Sequence, residues 1–146
     1  MNNIEKTFPA LPMIGRLMMA AIFLVNGFAK AAAPQITISY IASVGLPFPT
    51  LGLAIAVAVE IIGGLLLALG YKTRITALVL AIFSVATSLV FHNAIGDQNQ
   101  FIHLMKNIAM AGGLIQVVAF GAGAFSIDSR PHYGGANTKT VFGSHS

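Results

Sequence analysis

The sequence predicts an all-α integral membrane protein, a four-transmembrane-helix bundle, on three observations. Of its 146 residues, 56% are hydrophobic and only 8% are charged, with a mean hydropathy of +0.82. A soluble domain carries about a quarter charged residues, so this chain cannot cover itself with groups that water solvates. The apolar residues are gathered into four runs, each near the ~20 residues that a helix needs to cross the hydrocarbon. No run of about ten alternating residues points to a β-barrel, and isolated strands would leave backbone groups unsatisfied in lipid.

The first run, about residues 11–31, contains "IGRLMMAAIFLVNGFAK". Arg16 and Asn26 interrupt it and no small-residue cleavage site follows a clean apolar core, so it reads as a retained helix rather than a signal peptide. "AAPQITISYIASVGLPFPT" is a longer proline-bounded loop with room for a short interfacial turn. The second run, 49–69, holds "AIAVAVEIIGGLLLALG", and "GYKTR" after it is a tight turn with two cations. The third run, 74–95, has an uncharged core from Ile75 to Phe91, and the polar "GDQNQ" leads to the fourth, 102–120. Residues 1–125 then form the transmembrane domain. Residues 126–146, in a glycine- and serine-rich stretch that starts at Ala122, read as a flexible cytoplasmic tail.

Cations set the expected orientation. Lys6, Arg16, Lys72, Arg74, Arg130 and Lys139 fall on one side, against Lys30 and Lys106 on the other. By the positive-inside rule both termini and the "GYKTR" turn face the cytoplasm of a bacterial inner membrane. The net charge of +4 is too thinly spread for nucleic-acid binding, and the absence of cysteine excludes disulfides, thiol relays and cysteine–zinc sites. No metal site is expected. A redox role would draw on a bound cofactor or a partner protein.

Polar residues inside apolar runs carry the functional signal, because ionisable groups in a membrane normally face the bundle interior, pair, or serve a function. Glu60 shares a stripe with Gly52, Ala56, Gly63 and Gly64, so it points at other helices. It lies too deep to reach the headgroups and must pair, share a proton or be neutral. An Arg16–Glu60 structural pair, a Lys–Glu pair and a ligand-binding role all satisfy that demand. Arg16, Ala20, Phe23, Gly27 and Lys30 share a face of the first helix, flanked by Asn26. Ala81, Ser84, Ser88 and His92 form a stripe on the third, and Lys106, Met110 and Gly113 align on the fourth beside His103 and Asn107. Asn26, Lys30, Glu60, His92, Lys106 and Asn107 are the candidate ligand-binding residues, gathered in the outer half of the bundle. Blander readings stand beside this one. Lys30 and Lys106 can snorkel from near helix ends, and the amides can simply hydrogen-bond between helices.

These pieces together resemble the DoxX family of small four-helix bacterial membrane proteins. The resemblance rests on "GRLMMAAIFLVNGFAK", "YIASVGLPFP", "VEIIGGLLLALGYKTRITAL", His92, "KNIAMAGGLI" and "GAGAFSIDS", in that order, and covers about residues 14–129. Ala122 stands where the family usually has a proline. The resemblance implies an inner-membrane protein with no intrinsic cofactor motif. It also implies association with thiosulfate:quinone oxidoreductase subunits and with membrane complexes that handle oxidative stress and thiols. The family's polar positions carry over onto Arg16, Lys30, Glu60, His92, Lys106 and Asn107.

The leading expectation is a redox-linked membrane subunit that binds a quinone-like or other small ligand, with a redox protein as partner. A small-anion or metabolite transporter is the alternative, and four helices without a repeat would then need a homo-oligomer. A non-catalytic scaffold and a b-type haem protein using His92 and His103 complete the set.

Overall fold

The structure, a computed structural model, describes residues 3–131. Six helices follow in order: α1 (Asn3–Thr7), α2 (Leu11–Ala32), α3 (Pro34–Ser43), α4 (Pro49–Leu69), α5 (Thr73–Phe91) and α6 (Gln98–Phe120). No strand occurs among the described residues. The helices α2, α4, α5 and α6 are each long and apolar enough to cross a membrane.

Local chemistry sets their ends. Pro49 stands in the first turn of α4, where its missing N–H costs nothing, and Gly70 closes the helix in the left-handed conformation at φ 69°. The third spanning helix stops at Phe91, short of the expected residue 95, because His92 leaves helical geometry at φ −126°. The fourth starts at Gln98 rather than 102, because the Asp97 side chain accepts from the Gln100 amide at 2.9 Å and so caps an earlier turn. The loop expected before α4 is instead largely helical, the ten-residue α3 with Pro34 in its first turn.

Contacts fix the direction of the helices. Descending α2 from Lys30 through Gly27 and Leu24 to Arg16 meets α4 ascending from Glu60 through Ile61 and Gly64 to Leu67, so the two are antiparallel. Glycines let α4 approach its neighbours. A Cβ on Gly27 would stand 2.7 Å from Ile61 Cγ1, and one on Gly64 would stand 2.9 Å from Leu24 Cγ. On the other side Gly63 takes Leu80 of α5. Leu67, Leu80 and Leu114 close the core with no exposed surface, whereas Met18, Val25, Ile62 and Ile82 point outward. That outward apolar surface is what a bilayer covers.

The chain after α6 departs from the expected loose tail. Gly121 and Gly123, at φ 85° and 80°, turn it back across the end of the bundle. Ile127 N–H then bonds Leu69 O at 3.1 Å and Asp128 N–H bonds Gly70 O at 2.9 Å. The Asp128 carboxylate accepts from Lys72 N–H at 2.7 Å, Thr73 N–H at 2.8 Å and the Thr73 hydroxyl at 2.6 Å. It thereby caps α5 and holds Lys72 in a left-handed conformation, φ 44°. Partial burial works to raise the Asp128 pKa. The bonds from Thr73 and Lys72, with the charge of Arg16, outweigh it and hold the carboxyl below its ordinary value. Residues 126–130 are therefore docked, because orphaned backbone groups at the α4–α5 turn recruit them. Residues 132–146 of the expected tail lie outside the described residues.

Candidate functional site

A cavity of about 430 Å³ opens at the end of the bundle where α5 meets α6, opposite the docked C-terminal segment. Asn26, Lys30, Glu60, His92, Lys106 and Asn107, from three helices and the residue that follows α5, all line it. Helix direction explains the gathering. Lys30 closes α2, His92 ends α5, and Lys106 lies two turns into α6, so antiparallel packing puts all three at one end. Glu60, half-way along α4, forms the inner wall with Phe23, Phe83 and Ser84.

Lys30 Nζ donates to both oxygens of Glu60 at 2.8 Å. Glu60 is 5% exposed, so the pair answers the demand that a buried carboxylate be compensated. Of the pairings left open by the sequence, the Lys–Glu pair forms and the Arg16–Glu60 pair does not. Arg16 stands about 21 Å down the same helix from Lys30, level with the other end of α4. There it is 1% exposed and donates to four carbonyls: Leu67 at 2.7 Å, Ala68 at 3.0 Å, Ala122 at 2.9 Å and Phe125 at 2.6 Å. The last carbonyls of a helix lack intrahelical partners, and a planar guanidinium can serve several at once.

At the mouth, the His92 N–H bonds Ser88 O at 2.8 Å and its Nδ1 sits 2.7 Å from Gln100 Oε1. The His92 ring stacks on His103 with centroids 5.0 Å apart. Lys106 Nζ lies 3.5 Å from His103 Nδ1, one turn away on α6. Stacked rings cannot approach one iron from opposite faces, which removes the geometric basis for a haem held by His92 and His103.

Four contributors were not among the expected site residues. Thr37 and Tyr40 of α3 form part of the lining, and the Tyr40 hydroxyl donates to Phe91 O at 2.9 Å, which fastens α3 over the end of α5. Gln100 orients His92 from a turn expected to be a cap. Ser84 lines the cavity at 2% exposure, yet its hydroxyl has no hydrogen-bond partner among the described residues. The small-residue stripe on α5 marks Ser84 in the sequence, but nothing there shows its hydroxyl to be unpartnered.

The chain has relatives among known proteins. The family model described as DoxX matches residues 11–93. The chain is similar to inner membrane protein YphA of Escherichia coli (strain K12), 33% identical over 129 residues, which cover 84% of this chain and 91% of that protein. It is also similar to inner membrane protein YqjF of the same strain, 33% identical over 116 residues, 80% of this chain and 88% of that one. A shorter likeness, 32% identity over 78 residues, links it to the putative oxidoreductase CatD of Bacillus subtilis (strain 168), covering 53% of this chain and 57% of that protein. No solved structure matches.

Proposed function

The chain belongs to the DoxX family and is a multi-pass inner-membrane protein, and on that premise we propose that it is a redox-linked membrane subunit binding a quinone-like small molecule. The observation that carries the reading is the cavity. A volume of about 430 Å³ suits a small ring-bearing ligand. Its walls divide as such a ligand would need, with Phe23, Phe83 and Met110 for an apolar body and Asn26, His92, Lys106 and Asn107 for carbonyl oxygens. The similarity to a protein named as a putative oxidoreductase supports the redox link.

In this reading Lys106 and His92 donate toward ligand oxygens, and Glu60 is the carboxylate in the wall that takes or returns a proton. Lys30 steadies Glu60 in its ionised form. With no cysteine in the chain, electrons pass between the ligand and a partner protein rather than through a thiol of its own. The end bearing Arg16, Lys72 and Arg74 faces the cytoplasm, so the cavity opens toward the outer leaflet.

Titration of the purified protein in nanodiscs with decylubiquinone tests the proposal. Lys106→Ala should weaken binding about tenfold, the loss of one charge-assisted hydrogen bond. Lys6→Ala, on the short α1 helix far from the cavity, should leave it unchanged. Equal effects from the two changes would contradict the assignment.

A further inference from the structure

Charge balance within the cavity narrows the ligand further, resting on the small-ligand reading above. Among the lining residues the only carboxylate is Glu60, and Lys30 already occupies both its oxygens. Lys106 has no acidic partner within ion-pair distance among the described residues, and its Nζ lies 3.5 Å from His103 Nδ1. A second cationic side chain in the wall of a membrane cavity attracts an anion. Asp97, the acid closest in sequence, is spent on the Gln100 amide at the α6 cap and does not line the cavity.

Ser84 supplies a second, independent observation at the inner end. Its hydroxyl is buried at 2% exposure without a partner, although a helical serine ordinarily bonds the carbonyl a turn before it. An unsatisfied buried hydroxyl is costly unless something else accepts its proton. Ser84 stands opposite Glu60, since Leu80 one turn below it packs on Gly63 one turn below Glu60. With Gln100 level with His92, the Lys106 backbone lies about half a turn nearer the mouth than Ser84, and its amino group reaches further up, to His103. Lys106 and Ser84 thus line the one cavity at two depths, together with the apolar Phe83 and Met110.

We infer that the cavity is selective for a monoanionic amphiphile, whose acidic oxygen is held by Lys106 beside His103 and whose inner oxygen accepts from Ser84. The shared chemistry is an ionised oxygen on an apolar body. An acidic hydroxyquinone and an aliphatic carboxylate both carry it, although the latter brings no inner oxygen for Ser84.

Isothermal titration of the full chain in nanodiscs tests this with three probes: lawsone, a hydroxynaphthoquinone ionised at neutral pH; menadione, a neutral naphthoquinone of similar size; and decanoate. Lawsone should bind at least about tenfold more tightly than menadione, the scale of one charge-assisted contact. Lys106→Gln should abolish that preference and Lys106→Arg should restore it, which separates charge from folding. Ser84→Ala should weaken lawsone several-fold at unchanged melting temperature and leave decanoate unaffected. Tight binding of decanoate rather than lawsone would assign the aliphatic acid and overturn the Ser84 contact. Menadione binding as well as lawsone, or a preference that survives in Lys106→Gln, would overturn the inference while leaving a small-ligand site standing. Failure of all three probes to bind would overturn both readings.

Discussion

Lys30 and Glu60 join the first and second spanning helices inside the apolar interior, with both carboxylate oxygens 2.8 Å from the lysine nitrogen. It is the one Lys/Arg–Asp/Glu ion pair within 4.0 Å among the described residues. Removing either partner strands a charge in low dielectric. Glu60→Gln and Lys30→Met should each destabilise the protein by about 2–4 kcal/mol. That is somewhat under the figure for a wholly buried pair, because the Lys30 side chain is 29% exposed. The double variant should recover part of the loss. Thermal melts of the three proteins in one detergent check this, and strictly additive losses would show that the two residues do not interact.

Arg16 should be harder to replace than a surface cation. Arg16→Met leaves four carbonyl acceptors without their donor, and a loss of about 3 kcal/mol or more is expected. Arg16→Lys should rescue little of it, since an ammonium cannot span carbonyls from α4 and from residues 122 and 125. Limited proteolysis of the Met variant should cut after α6 well before the bundle melts. Cleavage at the wild-type rate would contradict the role of Arg16 in holding that segment.

The cap at α5 makes stability depend on pH at the acid end. The Asp128 pKa is depressed in the folded state, so its contribution is full above the ordinary carboxylate value and is lost as pH falls through the lowered one. Wild-type protein should lose melting temperature below about pH 4. Asp128→Asn should start lower at neutral pH and show a flatter acid limb. Parallel profiles for the two proteins would remove Asp128 from the account.

Orientation can be read directly because the chain has no cysteine of its own. Single cysteines at positions 72 and 98 mark opposite ends of α5 and α6. An impermeant thiol reagent on intact cells, with the outer membrane permeabilised, should label position 98 and spare 72. The reverse pattern would invert the topology.

Much of this was legible in the sequence, for physical reasons that differ by residue. The bounds of α4 follow from Pro49 and Gly70, two residues whose backbone preferences are strong. The gathering of Asn26, Lys30, His92, Lys106 and Asn107 follows from helical period and alternating direction alone. The partners of Arg16 were not legible, because its acceptors are backbone groups contributed by residues as far apart as 67 and 125. Composition hid α3 as well, since a short polar segment between prolines reads as loop until its packing against α4 is seen. Asp128 reads as one more tail residue, yet its work is done on an amide 55 positions earlier in the chain.

Whether the cavity holds a ligand in the cell can be read by native mass spectrometry of the protein released from its own membrane. Ala56 lines the cavity, whereas Ala54 on the same helix is exposed and absent from the lining. Ala56→Phe fills the space without touching any polar side chain, and Ala54→Phe adds the same ring to the lipid-facing side. One small molecule should be bound per wild-type chain, retained in Ala54→Phe and lost in Ala56→Phe. Identical spectra from all three proteins would contradict a binding site there.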